Sequence, residues 1–110
     1  ERDRSERALL IACCMLCRRL TPDEAQDLIA QLPSMLKTHL DQCLSGPDRD
    51  VTRQAIEDEL SQSVGINAES ASQISQAIFD IIADNVSPGQ IAEVRGQLPE
   101  DMKDLFPARS

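Results

Sequence analysis

The 110-residue sequence has no tryptophan, no tyrosine and only two phenylalanines, Phe79 and Phe106. Runs of aromatic and β-branched residues alternating at period two are missing, so strands have little support. A buried core must be built from Leu, Ile, Val, Ala and Met, and the expected fold class is all-α. Cations are also scarce: 11 Lys and Arg stand against 19 Asp and Glu, for a formal net charge of -8. Such a chain repels phosphate backbones and anionic lipid surfaces. No stripe of Lys and Arg interleaved with aromatics offsets that, so neither nucleic acid nor membrane is expected as a partner. The longest apolar run, residues 8–17, covers ten positions, against about 20 needed to cross a bilayer. No small-residue cleavage site follows it, so no secretory leader is expected and the address is cytoplasmic. The start at Glu1 suggests a trimmed chain or an excised domain. The single histidine, His39, has no nucleophile and carboxylate arranged around it by spacing. No G-x-G-x-x-G, P-loop or H-E-x-x-H occurs. Neither an enzyme nor a bound cofactor is expected.

What the chain does contain is one short phrase written twice. Leu20-Thr21-Pro22-Asp23-Glu24-Ala25 and Gln31-Leu32-Pro33 return as Val86-Ser87-Pro88-Gly89-Gln90-Ile91 and Gln97-Leu98-Pro99, at a constant, ungapped offset of 66 residues. Each copy follows an apolar helical run. In each, Thr21 or Ser87 suits a helix N-cap and the following proline suits the first helical position. Leu20 with Ala25, and Val86 with Ile91, fit a hydrophobic staple, and Glu24 fits the third position of a capping box. Pro33 and Pro99 end these helices and open the next ones.

The remaining elements follow from periodicity. Residues 4–19 predict a first helix, apolar nearly all round and hence surrounded by neighbours. After Pro33, Leu36, Leu40 and Leu44 form a stripe joined by Met35, matched after Pro99 by Met102 and Phe106. Ser45-Gly46-Pro47-Asp48 reads as a surface loop. A helix over about 51–63, stopped by Gly65, connects the halves, and Asn67 caps a long helix running to about residue 85. The buried line of that helix is expected at Ile74, Ala77, Ile78, Ile81 and Ile82, with Phe79 beside it. The whole predicts a single helical domain over residues 1–110, a compact bundle of six or seven short helices. Its internal pseudo-twofold duplication would comprise pseudo-repeats at about 4–44 and 68–106 and a connecting helix at about 51–64.

Superposing the copies exposes where they differ. Ile11, Ala12, Cys13, Met15 and Leu16 match Ala77, Ile78, Phe79, Ile81 and Ile82, which predicts a shared core. Leu10, Cys14 and Cys17 share one helical face at i, i+4 and i+7, but their counterparts are Gln76, Asp80 and Ala83, and Leu9 matches Ser75. The first helix thus carries an extra apolar strip. Either the chain itself covers it, for example with the helix beginning near Val51, or a partner does. Leu9, Leu10, Cys14 and Cys17 are the candidate interaction face for a protein partner or a second copy.

The four cysteines suggest free thiols in a reducing cytosol and no disulfide framework. Cys14 and Cys17 form a C-x-x-C, but inside an apolar helix with no preceding strand, where a thiol is poorly reactive. Cys14 and Cys17 at i, i+3 with His39 and Cys43 at i, i+4 would supply a tetrahedral zinc set if two helices faced each other. The second copy offers Leu105 and Arg109 in place of His39 and Cys43, which speaks against that site, and no metal is expected. Glu57-Asp58-Glu59 and Asp23-Glu24 fit solvated or dipole-complementing positions.

Arg19-Leu20-Thr21-Pro22-Asp23-Glu24-Ala25, the doubled Gln-Leu-Pro and the terminal Leu105-Phe106-Pro107 resemble a bacterial family catalogued as a domain of unknown function, number 2267. The resemblance covers nearly the whole chain. It implies a small cytosolic all-helical domain with an internal duplication, and it carries over no reaction chemistry. Family members look more aromatic after the first Gln-Leu-Pro than residues 38–44 do here. The function expected is a non-enzymatic protein-interaction or scaffolding module, able to self-associate. A small-molecule or lipid-binding helical domain, or a thiol- or zinc-based sensor, are the alternatives.

Overall fold

In the computed structural model, residues 2–106 are described. They form seven α-helices and one 3-10 turn, with no strand among the described residues. The helices are α1 (Arg2–Arg19), α2 (Pro22–Ala30), α3 (Ser34–Leu40), α4 (Arg53–Val64), α5 (Ala68–Asn85), α6 (Pro88–Gly96) and α7 (Glu100–Lys103). The 3-10 turn, Asp41–Cys43, extends α3. Pro107 and Arg109, used above, lie outside the described residues.

The local start and stop signals act as their chemistry requires. The side chains of Thr21, Asn67 and Ser87 accept hydrogen bonds from the N–H groups of Glu24, Ser70 and Gln90. Gly65, at φ 73°, takes the left-handed conformation that closes α4, which an L side chain adopts only at a cost. Arg4 and Arg7 reach from α1 to the Val64 and Ser63 carbonyls, at 2.6 and 3.4 Å, and satisfy acceptors that a helix end leaves open. α4 begins at Arg53, capped by Thr52, two residues inside the expected start near Val51.

α1 packs against α2, α3, α4 and α5, as a helix apolar on most sides must. Its buried residues Ala8, Ala12, Cys13, Leu16, Cys17 and Leu20 form the centre of the core. At the far side, the Phe79 and Phe106 rings meet edge to face with centroids 5.1 Å apart, a favoured aromatic geometry.

Several expected core positions are not core. In α5 the inward line is Ala71, Ser75, Ile78, Phe79, Ile82 and Ala83, whereas Ala77 is exposed and Ile81 is 51% exposed. Ala71, Ser75, Ile78 and Ile82 advance by four, three and four residues, the stagger that keeps one face inward. Ile81 lies about 100° from Ile82 around the helix and falls outside that arc. Met35 is likewise exposed, at 68%, while Leu36 and Leu40 are buried. The stretch after the 3-10 turn is the expected surface loop, with Ser45 and Pro47 exposed, and it is tied to the end of α1. The Asp48 N–H donates to the Arg18 carbonyl at 2.7 Å, and Arg18 pairs with the Asp48 carboxylate at 3.3 Å.

Candidate functional site

The two Gln-Leu-Pro motifs meet directly, because α2 packs on α6. The Thr21 N–H donates to Gln97 Oε1 at 3.0 Å, and the Ser87 N–H donates to Gln31 Oε1 at 2.7 Å. Each N-cap amide is therefore satisfied by the C-cap glutamine of the other motif, the job a capping-box residue would otherwise do from its own helix. Glu24, expected to close such a box, instead accepts a hydrogen bond from Gln90, the residue at its own place in the second motif. Burial, then the neighbouring carboxylates of Glu93 and Asp27, raise the Glu24 pKa above the ordinary value, and the Gln90 bond opposes them. This contact ties α2 to α6.

Two surfaces with room for another molecule lie on the flanks of α1. Leu9 faces one of them, a groove of about 510 Å³ between α1 and α5 that Val64, Ile66, Ile74, Ala77, Ile78 and Ile81 also line. Leu10 and Cys14 face the other, a cleft of about 580 Å³ that Ile11, Met15, Arg18, His39, Cys43 and Glu59 also line.

The strip of Leu9, Leu10, Cys14 and Cys17 is therefore not one surface. Leu9 and Leu10 are consecutive, about 100° apart around the helix, and look into different depressions. Cys17 is 0% exposed and belongs to the core. Leu9, Leu10 and Cys14 are half-buried against that core. Much of the strip is covered by the chain itself. The opposing positions of α5 are not all wet either, since Ser75 and Ala83 are buried.

The cysteines also depart from expectation. Cys14 and Cys43 form a disulfide, with Cα atoms 5.4 Å apart across a sequence separation of 29. The expectation of four free thiols fails because pairing depends on the approach of α1 and the 3-10 turn, which no local spacing encodes. No signal in the sequence singled out the pair, since none of the four cysteines has a cysteine at the matching position 66 residues on. The other two, Cys13 and Cys17, are buried free thiols. Desolvation pushes each up to about 12, with the Cys17 charge adding to the effect on Cys13. The set Cys14, Cys17, His39 and Cys43 is not assembled for zinc. Two of its sulfurs are bonded to each other, Cys17 is enclosed in the core, and His39 is exposed. Among the described residues no three His, Cys, Asp or Glu side chains converge on a metal position.

The acidic run of α4 is absorbed by its own helix. Glu57 pairs with Arg53 at 3.4 Å, Asp58 accepts from Gln54 at 2.8 Å, and Glu59 accepts from Ser63 at 2.6 Å. No described helix is long and apolar enough to cross a membrane.

No curated protein and no solved structure matches the chain. Residues 1–105 match the family described as "Uncharacterized conserved protein (DUF2267)", and the chain belongs to that family.

Proposed function

We propose that this chain is an internally duplicated helical module that works by binding another protein, and that the contact surface is the apolar groove between α1 and α5. The observation that carries this reading is Ile81, 51% exposed at the edge of a groove that Leu9, Ile74, Ala77 and Ile78 also line. Clustered apolar exposure on one patch marks a contact site more often than scattered exposure does. The partner that fits is an amphipathic helix laying its apolar face in the groove. With a net charge of -8 on this chain, Lys and Arg flanking that face are favoured. The reciprocal bonds of Thr21 with Gln97 and Ser87 with Gln31 support the duplication, since both connect the same pair of motif positions. Binding is favoured over catalysis because the Glu57-Asp58-Glu59 run is engaged within α4 and the two free thiols, Cys13 and Cys17, are enclosed in the core. A bacterial cytosolic address follows from the family resemblance. It is compatible with the Cys14–Cys43 bond if that bond opens and closes, since lasting disulfides are rare in reducing compartments.

The test uses a Lys-rich amphipathic helical peptide and the amide NMR spectrum of the whole chain. Perturbations centred on Leu9, Ile74 and Ile81, lost in Ile81→Glu, support the groove. Perturbations elsewhere, or binding that Ile81→Glu leaves intact, defeat it. The groove volume of about 510 Å³ also lies within the ordinary range for small apolar ligands. A retained lipid or metabolite in native mass spectrometry would favour that second reading.

A further inference from the structure

We propose that the Cys14–Cys43 disulfide is a reversible latch: an external dithiol opens it from the cleft, and its opening unfastens α3 and the 3-10 turn from α1. The bond sits in the wall of an open cleft of about 580 Å³, so it is not sealed within the core. Cys14 is half-buried and Cys43 is only 3% exposed, so the attack is assigned to Cys14, the less enclosed residue of the pair.

The exchange is balanced by the dithiol. Its thiolate forms a bond to Cys14 Sγ, the Cys14–Cys43 bond breaks, and the electron pair leaves on Cys43, which then takes up a proton. The second thiol of the reductant displaces Cys14, so two electrons enter the protein and the reductant departs as its own disulfide. Arg18 lines the same cleft as the departing Cys43 thiolate, and a cation there favours it, while Glu59 opposes it. Arg18 is shared with the Asp48 carboxylate.

Cys17, although three residues from Cys14, takes no part. Cys17 and Cys13 are enclosed in the core, and desolvation holds both thiols far from ionisation at neutral pH. The exchange is thereby confined to one pair, and the C-x-x-C is a coincidence of spacing.

The mechanical consequence is local. Upstream, α2 is held to α6 by the glutamine exchange. Downstream, Asp48 is tied to Arg18. Between these fixed points, α3 keeps only Leu36 and Leu40 as buried anchors once Cys43 is released.

Iodoacetamide labelling read by mass spectrometry tests the chemistry on the native, whole chain. Before reduction no cysteine should be labelled. After dithiothreitol, Cys14 and Cys43 should be labelled while Cys13 and Cys17 are not, and oxidised glutathione should restore the bond. Hydrogen exchange tests the mechanics. Amides of residues 34–44 should exchange at least about tenfold faster on reduction, with α5 and α6 unchanged. A variant carrying Cys14→Ser and Cys43→Ser should match the reduced protein and ignore the reductant. If that variant does not fold, the reduced wild-type chain still decides. Labelling of Cys14 before reduction, labelling of Cys17, reduction that needs denaturant, unchanged exchange in 34–44, or global unfolding would each overturn the latch.

Discussion

Gly46 occupies a position that no side chain fits. A Cβ there would stand 2.3 Å from the carbonyl oxygens of both Arg18 and Leu20, which are backbone atoms at the end of α1. Gly46→Ala must push the docked connector off that end, and overpacking of this kind costs about 1–3 kcal/mol or more. Urea denaturation should show the loss, and a Gly89→Ala control, with open space at its Cβ, should not share the clash. Glu24 gives a second residue-scale prediction. Its folded-state pKa is raised, so the folded chain holds the Glu24 proton more tightly than the unfolded chain does. Stability contributed at this site is therefore greatest at low pH and falls as pH rises through the carboxylate range toward neutrality. Glu24→Gln, which keeps an acceptor for Gln90, should flatten that slope and leave the protein at least as stable at pH 7. Thermal melts across pH 4 to 7 check it; a variant that loses stability at pH 7 contradicts it.

At the scale of elements, the glutamine exchange between α2 and α6 sets the most direct test of the proposed duplication. Gln31→Ala and Gln97→Ala each remove the acceptor of one N-cap amide, at a cost of about 0.5–1.5 kcal/mol per bond. Similar losses from the two variants in chemical denaturation are expected if the motifs are equivalent, and grossly unequal ones count against it. Elements were also the scale at which the chain was most readable. Thr21, Asn67, Ser87 and Gly65 act on residues within a few positions of themselves, so their roles are written locally. The inward face of α5 was not, because Ile74, Ile78, Ile81 and Ile82 fit more than one helical stripe. Only the position of α1 and α4 selects Ile78 and Ile82 and leaves Ile81 outside. The same ambiguity joined Leu9, Leu10, Cys14 and Cys17 into one strip, when packing divides them among a groove, a cleft and the core.

For the whole molecule, the Cys14–Cys43 bond is a non-local feature that sequence reasoning missed. It closes a loop across a separation of 29 residues, and a loop of that length restricts the unfolded chain by about 3–4 kcal/mol. Denaturation with and without dithiothreitol should differ by that order, and a difference near zero would mean that the bond constrains little. The tie between α1 and α4 has an outcome of a different kind. Arg4 and Arg7 stopper the final carbonyls of α4, and Arg4 also lines the groove beside Leu9. Deleting the opening two turns of α1 would strip a wall from that hollow and leave bare oxygens at the neighbouring helix end in the same stroke, so damage at this edge cannot be confined to one element.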